Sequence, residues 1–231
     1  MNPQKSLIFI HGWGASCETF KPFYPHLKSE FIIYDLDLPG FGKEKINKAM
    51  SLKDYADFVR DFLGKNQIQN PIILGHSLGG AIAAKFALLY SERISKLILI
   101  NAAVIRKPNL KTKIIRKSAN LANLFLSQKI KNIILKILKL ENSDYAEINN
   151  PILKETFKKI IDENLESNLP KIKTPTLIIW GDQDKETPLE HGRLTAKLIH
   201  NSQFHILKGG HFIFFDQPKK FIELIKNFIN E

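Results

Sequence analysis

Pro71-Ile72-Ile73-Leu74-Gly75-His76-Ser77-Leu78-Gly79-Gly80-Ala81-Ile82-Ala83-Ala84 runs from a short apolar segment into a helical pattern, with a Gly-x-Ser-x-Gly pentapeptide as the whole connection. A strand that turns at once into a helix forces the central serine into strained backbone, and small flanking residues make room for that turn. The hydroxyl of Ser77 is then held at the edge of a sheet. The helix opening at Leu78 offers unpaired amide groups and the positive end of its dipole, so the Leu78 N–H is suited to stabilise an oxyanion. In this strand–turn–helix context a nucleophile elbow is favoured over a plain helix N-cap serine.

Outward from this unit, short apolar runs alternate with helical periods. Strands are expected at Ser6–Ile10, Phe31–Leu36, Pro71–Leu74, Lys96–Ile100, Thr176–Trp180 and Gln203–Leu207. Helical faces occupy Ser51–Lys65, with Ser51 as N-cap, and Leu78–Tyr90, Leu189–Ile199 and Pro218–Ile229. This alternation predicts an α/β fold with a mostly parallel sheet flanked by helices. From Ala102 to Thr174 the pattern is helical and no strand is found, with segments at Leu110–Leu126, Gln128–Leu140 and Ile152–Leu165. The expected organisation is a core of residues 1–101 and 175–231 carrying a helical insertion, 102–174, over one end of the sheet.

The 231 residues, 44% hydrophobic and 25% charged, exclude a disordered or collagen-like chain. Cys17 stands alone, which excludes an intramolecular disulfide and fits a reducing compartment. No stretch has the layout of a signal peptide or the length of a membrane span, so a soluble, cytoplasmic protein is expected. The net charge of +11 is regional: Arg106 to Lys139 holds ten basic residues and no acidic one, leaving 24 basic against 23 acidic residues elsewhere. Nucleic-acid binding is not expected, because interleaved aromatics and a binding motif are both missing.

A serine nucleophile needs a base, and the base needs an orienting carboxylate. His211, in Gly209-Gly210-His211 after the last strand, is the best placed of seven histidines. Asp182 and Asp184, after the strand ending at Trp180, compete for the carboxylate, and spacing does not decide between them. His11-Gly12-Trp13-Gly14 follows the first strand, so the Trp13 N–H is the candidate for the second oxyanion donor, with His11 as a support for its loop. His76, beside the nucleophile, and Phe41 are pocket candidates, and Leu121, Leu124 and Phe125 on the insertion are others. Arg106, Lys107, Lys111, Lys113, Arg116 and Lys117 form a candidate partner-docking patch, suited to an acidic carrier protein or an anionic membrane surface.

Five blocks in order, His-Gly-Trp-Gly at 11–14, Asp-Leu-Pro-Gly-Phe-Gly at 37–42, Gly-His-Ser-Leu-Gly-Gly at 75–80, Gly-Asp-Gln-Asp at 181–184 and Gly-Gly-His at 209–211, resemble the α/β-hydrolase superfamily. The resemblance implies that Asp184, last in Gly-x-x-Asp with Pro188 four positions on, is the carboxylate, and that 102–174 is a cap. It also implies an N-terminal sheet edge shortened by one or two strands, because the family's initial β-hairpin has no counterpart here. A serine at the elbow argues against the dehalogenases and epoxide hydrolases of this fold, which use aspartate. The first and second blocks look like carboxylesterases of the pimeloyl-acyl carrier protein methyl ester esterase type. The expectation is a Ser77–His211–Asp184 carboxylesterase that needs no metal or organic cofactor. Competing expectations are a carbon–carbon bond hydrolase of meta-cleavage products and a small-molecule receptor with little turnover.

Overall fold

The computed structural model describes residues 5–106 and 148–231. Its elements begin with β1 (Lys5–Ile10), a 3-10 turn at Cys17–Phe23, α1 (Tyr24–Leu27), β2 (Phe31–Tyr34), α2 (Leu52–Lys65), β3 (Ile72–His76), α3 (Leu78–Leu89) and β4 (Lys96–Ile100). After these come α4 (Pro151–Asp162), a 3-10 turn at Glu166–Lys171, β5 (Thr176–Gly181), α5 (Leu189–Leu198), β6 (Ser202–Leu207), α6 (Ile213–Asp216) and α7 (Pro218–Asn230). The strands form one sheet in the order β2-β1-β3-β4-β5-β6, and all five pairings are parallel. This is the parallel α/β sheet that the sequence predicts.

A parallel sheet needs cover on both faces, which is why its strands read as unbroken apolar runs. In β1, Ile8 and Ile10 join the core built with Tyr55 and Val59 of α2 and with Ile82 and Phe86 of α3. Leu7 and Phe9 face the opposite layer, with Phe20, Phe23, Phe221 and Phe228. The same alternation of period two divides β4 and β5 between the two layers. Helix α2 starts as its sequence predicts. Ser51 Oγ accepts the Asp54 N–H at 3.2 Å while the Asp54 carboxylate accepts the Ser51 N–H at 2.9 Å, a reciprocal capping box.

Differences from the sequence reading have local causes. Strand β2 stops two residues before Leu36, since its last pairing is Ile8 with Tyr34. Strand β3 continues to His76, which pairs with Ile100. The segment from Cys17 to Leu27 carries no strong periodic signal because Pro22 and Pro25 interrupt it, yet it buries Phe20, Phe23, Tyr24 and Leu27. The helix expected at Ile152–Leu165 is α4, opened by Asn150, whose Oδ1 accepts the Ile152 N–H at 2.8 Å, and by Pro151 at its first position. The helices expected at 110–126 and 128–140 lie outside the described residues.

Candidate active site

Because all strands run in parallel, their carboxyl ends lie on one side of the sheet, and the loops leaving them converge there. The turn after β3 is the tightest. Ser77 adopts φ 53° and ψ −116°, a conformation that L-residues rarely hold. Three backbone hydrogen bonds hold it: its N–H donates to Ile100 O, and its carbonyl accepts from Ala81 and Ala103. The glycines make this turn possible through close approach, for a methyl group at Gly75 would overlap the Gly79 carbonyl and one at Gly79 would overlap Ile10 O.

The loop after β5 presents Asp184, and the loop after β6 presents His211. His211 Nδ1 lies 2.8 Å from Asp184 Oδ2, and both side chains are buried. The same oxygen accepts from Thr187 Oγ1 at 2.7 Å and from Asn101 Nδ2, while Oδ1 accepts the N–H groups of Glu186 and Thr187. Burial pushes the Asp184 carboxyl up, but these donors, His211 first, outweigh it and hold the group below the usual carboxylate range. A carboxylate so placed keeps the proton of His211 on Nδ1 and leaves Nε2 to accept protons. Nε2 lies 3.2 Å from the exposed carboxylate of Glu186. Asp182 is turned elsewhere: its Oδ1 accepts the Gly209 N–H at 2.9 Å and so secures the glycine turn.

The first loop is braced from below. The Leu38 N–H donates to His11 Nε2 at 3.0 Å, which puts the His11 proton on Nδ1, directed at Gly12 O at 2.8 Å. Burial lowers the pKa of His11, against smaller opposing effects of the Gly12 carbonyl and Asp37. Asp37 in turn accepts the N–H groups of Cys17 and Lys43, tying the 37–42 loop to the segment after β1. These two motifs therefore hold Gly12 and Trp13 in place.

A cavity of about 470 Å³ opens among these loops. Gly12, Trp13, His76, Ser77, Leu78 and His211 line it, so both oxyanion candidates and two of the three catalytic candidates share its wall. Phe157, Ile160 and Ile161 of α4 supply an apolar side, and Arg106, Lys185 and Glu186 a charged one. Phe41 stands behind the wall, its ring packed edge-on against Trp13 at 4.9 Å. Arg106 is half-buried on the cavity wall. Lys107, Lys111, Lys113, Arg116 and Lys117, with Leu121, Leu124 and Phe125, lie outside the described residues. Among the described residues, no cluster of His, Cys, Asp and Glu is arranged to hold a metal ion, and no helix is long and apolar enough to cross a membrane.

The sequence reading passed over Asn101 and Thr187, the side chains that support Asp184. Asn101 immediately follows β4, so its place at a strand end was a usable signal; Thr187 had none.

His76 is fully buried, its ring tilted against that of His211 with centroids 4.7 Å apart, and its Nε2 donates to the His211 carbonyl at 2.8 Å. Burial first, then the neighbouring His211, pushes its pKa down to about 3. The unfolded chain therefore binds more protons than the folded one between about pH 6.5 and 3, and stability falls as pH falls through that window. Replacing His76 by Gln, which keeps an amide donor but does not titrate, is expected to flatten the slope by up to about 1.4 kcal/mol per pH unit. Urea unfolding of both proteins at several pH values from 6.5 to 4 measures this; parallel slopes would refute it.

Comparison with known proteins agrees with this architecture. A family model described as the alpha/beta hydrolase fold matches residues 5–218. A pimeloyl-[acyl-carrier protein] methyl ester esterase of Wigglesworthia glossinidia brevipalpis is 28% identical over 98% of this chain and 94% of its own length. A 2-hydroxy-6-oxononadienedioate/2-hydroxy-6-oxononatrienedioate hydrolase of Escherichia coli is 25% identical over 97% of this chain and 87% of its own. Among solved structures, an esterase from Exiguobacterium antarcticum superposes with a TM-score of 0.77 at 22% identity, covering 100% of this chain and 94% of that one.

Proposed function

The chain belongs to the α/β-hydrolase family, and on that footing we propose that it cleaves carboxylic esters through an acyl-enzyme on Ser77. The observation that carries this is the His211–Asp184 hydrogen bond at a cavity that also exposes the strained Ser77 turn. Ser77 Oγ attacks the ester carbonyl while His211 Nε2 takes its proton, and the developing oxyanion is met by the N–H groups of Trp13 and Leu78. His211 then returns the proton to the leaving alcohol, and a water molecule activated in the same way releases the acid. For this, Nε2 must exchange Glu186 for the serine hydroxyl. The exchange costs little because the Glu186 carboxylate is 63% exposed and can turn into water.

We assign residues 102–174 to a cap over this site. Within it, α4 supports that assignment by bringing Phe157 against Trp13 with centroids 4.9 Å apart. An acyl carrier protein-linked methyl ester is the finer form of the proposal, supported by the Wigglesworthia relative and by the basic run from Arg106 to Lys139. The Escherichia coli relative supports a second reading, carbon–carbon bond hydrolysis with the same three residues.

Turnover of p-nitrophenyl esters of increasing acyl length separates these. Multiple turnovers with an optimum length are expected. A folded protein that turns over no ester but cleaves a vinylogous diketone would replace the ester reading with the second one.

A further inference from the structure

Among the described residues, no carboxylate pairs with Arg106 on the cavity wall. The segment that carries it is fixed at three points: the Ala103 N–H donates to Ser77 O at 3.0 Å, the Val104 carbonyl accepts from Leu165 at 3.0 Å, and the Arg106 N–H donates to Asn164 Oδ1 at 3.1 Å. Its backbone is thus tied directly to the nucleophile turn. Three residues of extended chain span at most about 11 Å, so Arg106 stands no farther than that along the chain from Ala103, which is bonded to the Ser77 carbonyl, and Arg106 and Ser77 line the same cavity.

Within the half-buried guanidinium, Nε is fully enclosed and has no hydrogen-bond partner. No ion pair joins Arg106 to a carboxylate among the described residues, and the one carboxylate on the same wall, Glu186, lies against His211. Burial pulls the guanidinium pKa down, although an arginine remains protonated at any physiological pH. Removing a cation from water without a partner is costly, and an active-site cleft is where such a cost is recovered by a ligand. Lys185 adds a second cation to the cavity lining, which also includes Phe157, Ile160 and Ile161, fit to cover methylene groups.

We propose that Arg106 binds the remote carboxylate of an ester whose acyl chain ends in an acid, so that the substrate is a half-ester of an aliphatic dicarboxylic acid. The planar guanidinium offers a paired donor edge to a carboxylate, and the apolar wall of α4 takes the chain between the two ends. Hydrolysis adds one water to the ester bond and yields the dicarboxylate, the alcohol and one proton. The inference rests on the ester chemistry proposed above, takes a free acid end in place of the carrier-linked one, and its test separates it from that chemistry.

Monomethyl adipate and methyl hexanoate have the same acyl length and differ in the terminal carboxylate, and proton release in a pH-stat reads both. Wild-type protein is expected to show kcat/KM at least about tenfold higher for the half-ester, as a charge-assisted hydrogen bond in a cleft provides. In Arg106→Gln the ratio of the two is expected to fall below about threefold, and Arg106→Lys, which keeps the charge without the fork, to lie between. Hydrolysis of methyl hexanoate without preference for the half-ester would overturn the carboxylate site and leave the esterase standing. If neither ester is hydrolysed, calorimetric binding of adipate against hexanoate decides: adipate binding that Arg106→Gln weakens about tenfold supports the site while the esterase fails, and equal binding of the two acids overturns it.

Discussion

Ser77→Ala is expected to lower ester turnover by on the order of 10⁴-fold or more while leaving the fold intact. The reason is chemical: without Oγ no acyl-enzyme forms, and what remains is whatever the oxyanion donors and binding confer on attack by water. The turn itself does not depend on the hydroxyl, because no hydrogen bond from Ser77 Oγ caps α3 and the turn is held by backbone bonds. Ser77→Gly sharpens the test. It should lose activity to the same extent and unfold at a higher temperature, since glycine occupies φ 53° and ψ −116° without the strain of roughly 1–3 kcal/mol that serine carries there. Turnover by Ser77→Ala within tenfold of wild type would end the nucleophile assignment.

The second large effect falls on the carboxylate. Asp184→Asn is expected to reduce turnover on the order of 10⁴-fold and Asp182→Asn by less than about threefold. Asp184 Oδ2 receives His211 Nδ1, Thr187 Oγ1 and Asn101 Nδ2, and an amide NH₂ in place of either oxygen sets donor against donor. The imidazole then loses the partner that fixes its tautomer. Asp182 only accepts the Gly209 N–H, so its neutral amide oxygen still serves. Steady-state kinetics of the two variants side by side, with thermal melting to show that both are folded, decides. A loss concentrated in Asp182→Asn would transfer the role.

Asp184 also links the site to acid stability. Its carboxyl is held below the usual range by donors present only in the fold, so its contribution is complete above about pH 4 and is lost as pH falls further through its native value. That window overlaps the His76 window only below about pH 4, so the two are separable above that value in a pH series.

The parallel sheet, its helical cover and the elbow were legible in the chain because each depends on local pattern. Apolar runs at Ile72–Leu74 and Leu97–Ile100 admit no polar face, and Gly75 and Gly79 bracket a serine where backbone passes within van der Waals contact. His211 and Trp13 were legible as candidates for the same reason, each following an apolar strand in a glycine-marked loop. The resemblance to α/β-hydrolases favoured Asp184, but residue spacing left Asp182 equal to it.

Composition and periodicity by themselves determined a parallel α/β fold with a serine at a strand–helix turn, and the five motif blocks carry its resemblance to α/β-hydrolases. Only tertiary structure decided which aspartate faces His211, that Asn101 and Thr187 sustain that carboxylate, and that Arg106 stands on the cavity wall with Nε unpartnered. The division has a physical cause. Secondary structure and tight turns are set by neighbours in sequence, whereas the direction of a loop side chain is set by residues distant along the chain, as Asp184 lies 83 positions from Asn101 and 27 from His211.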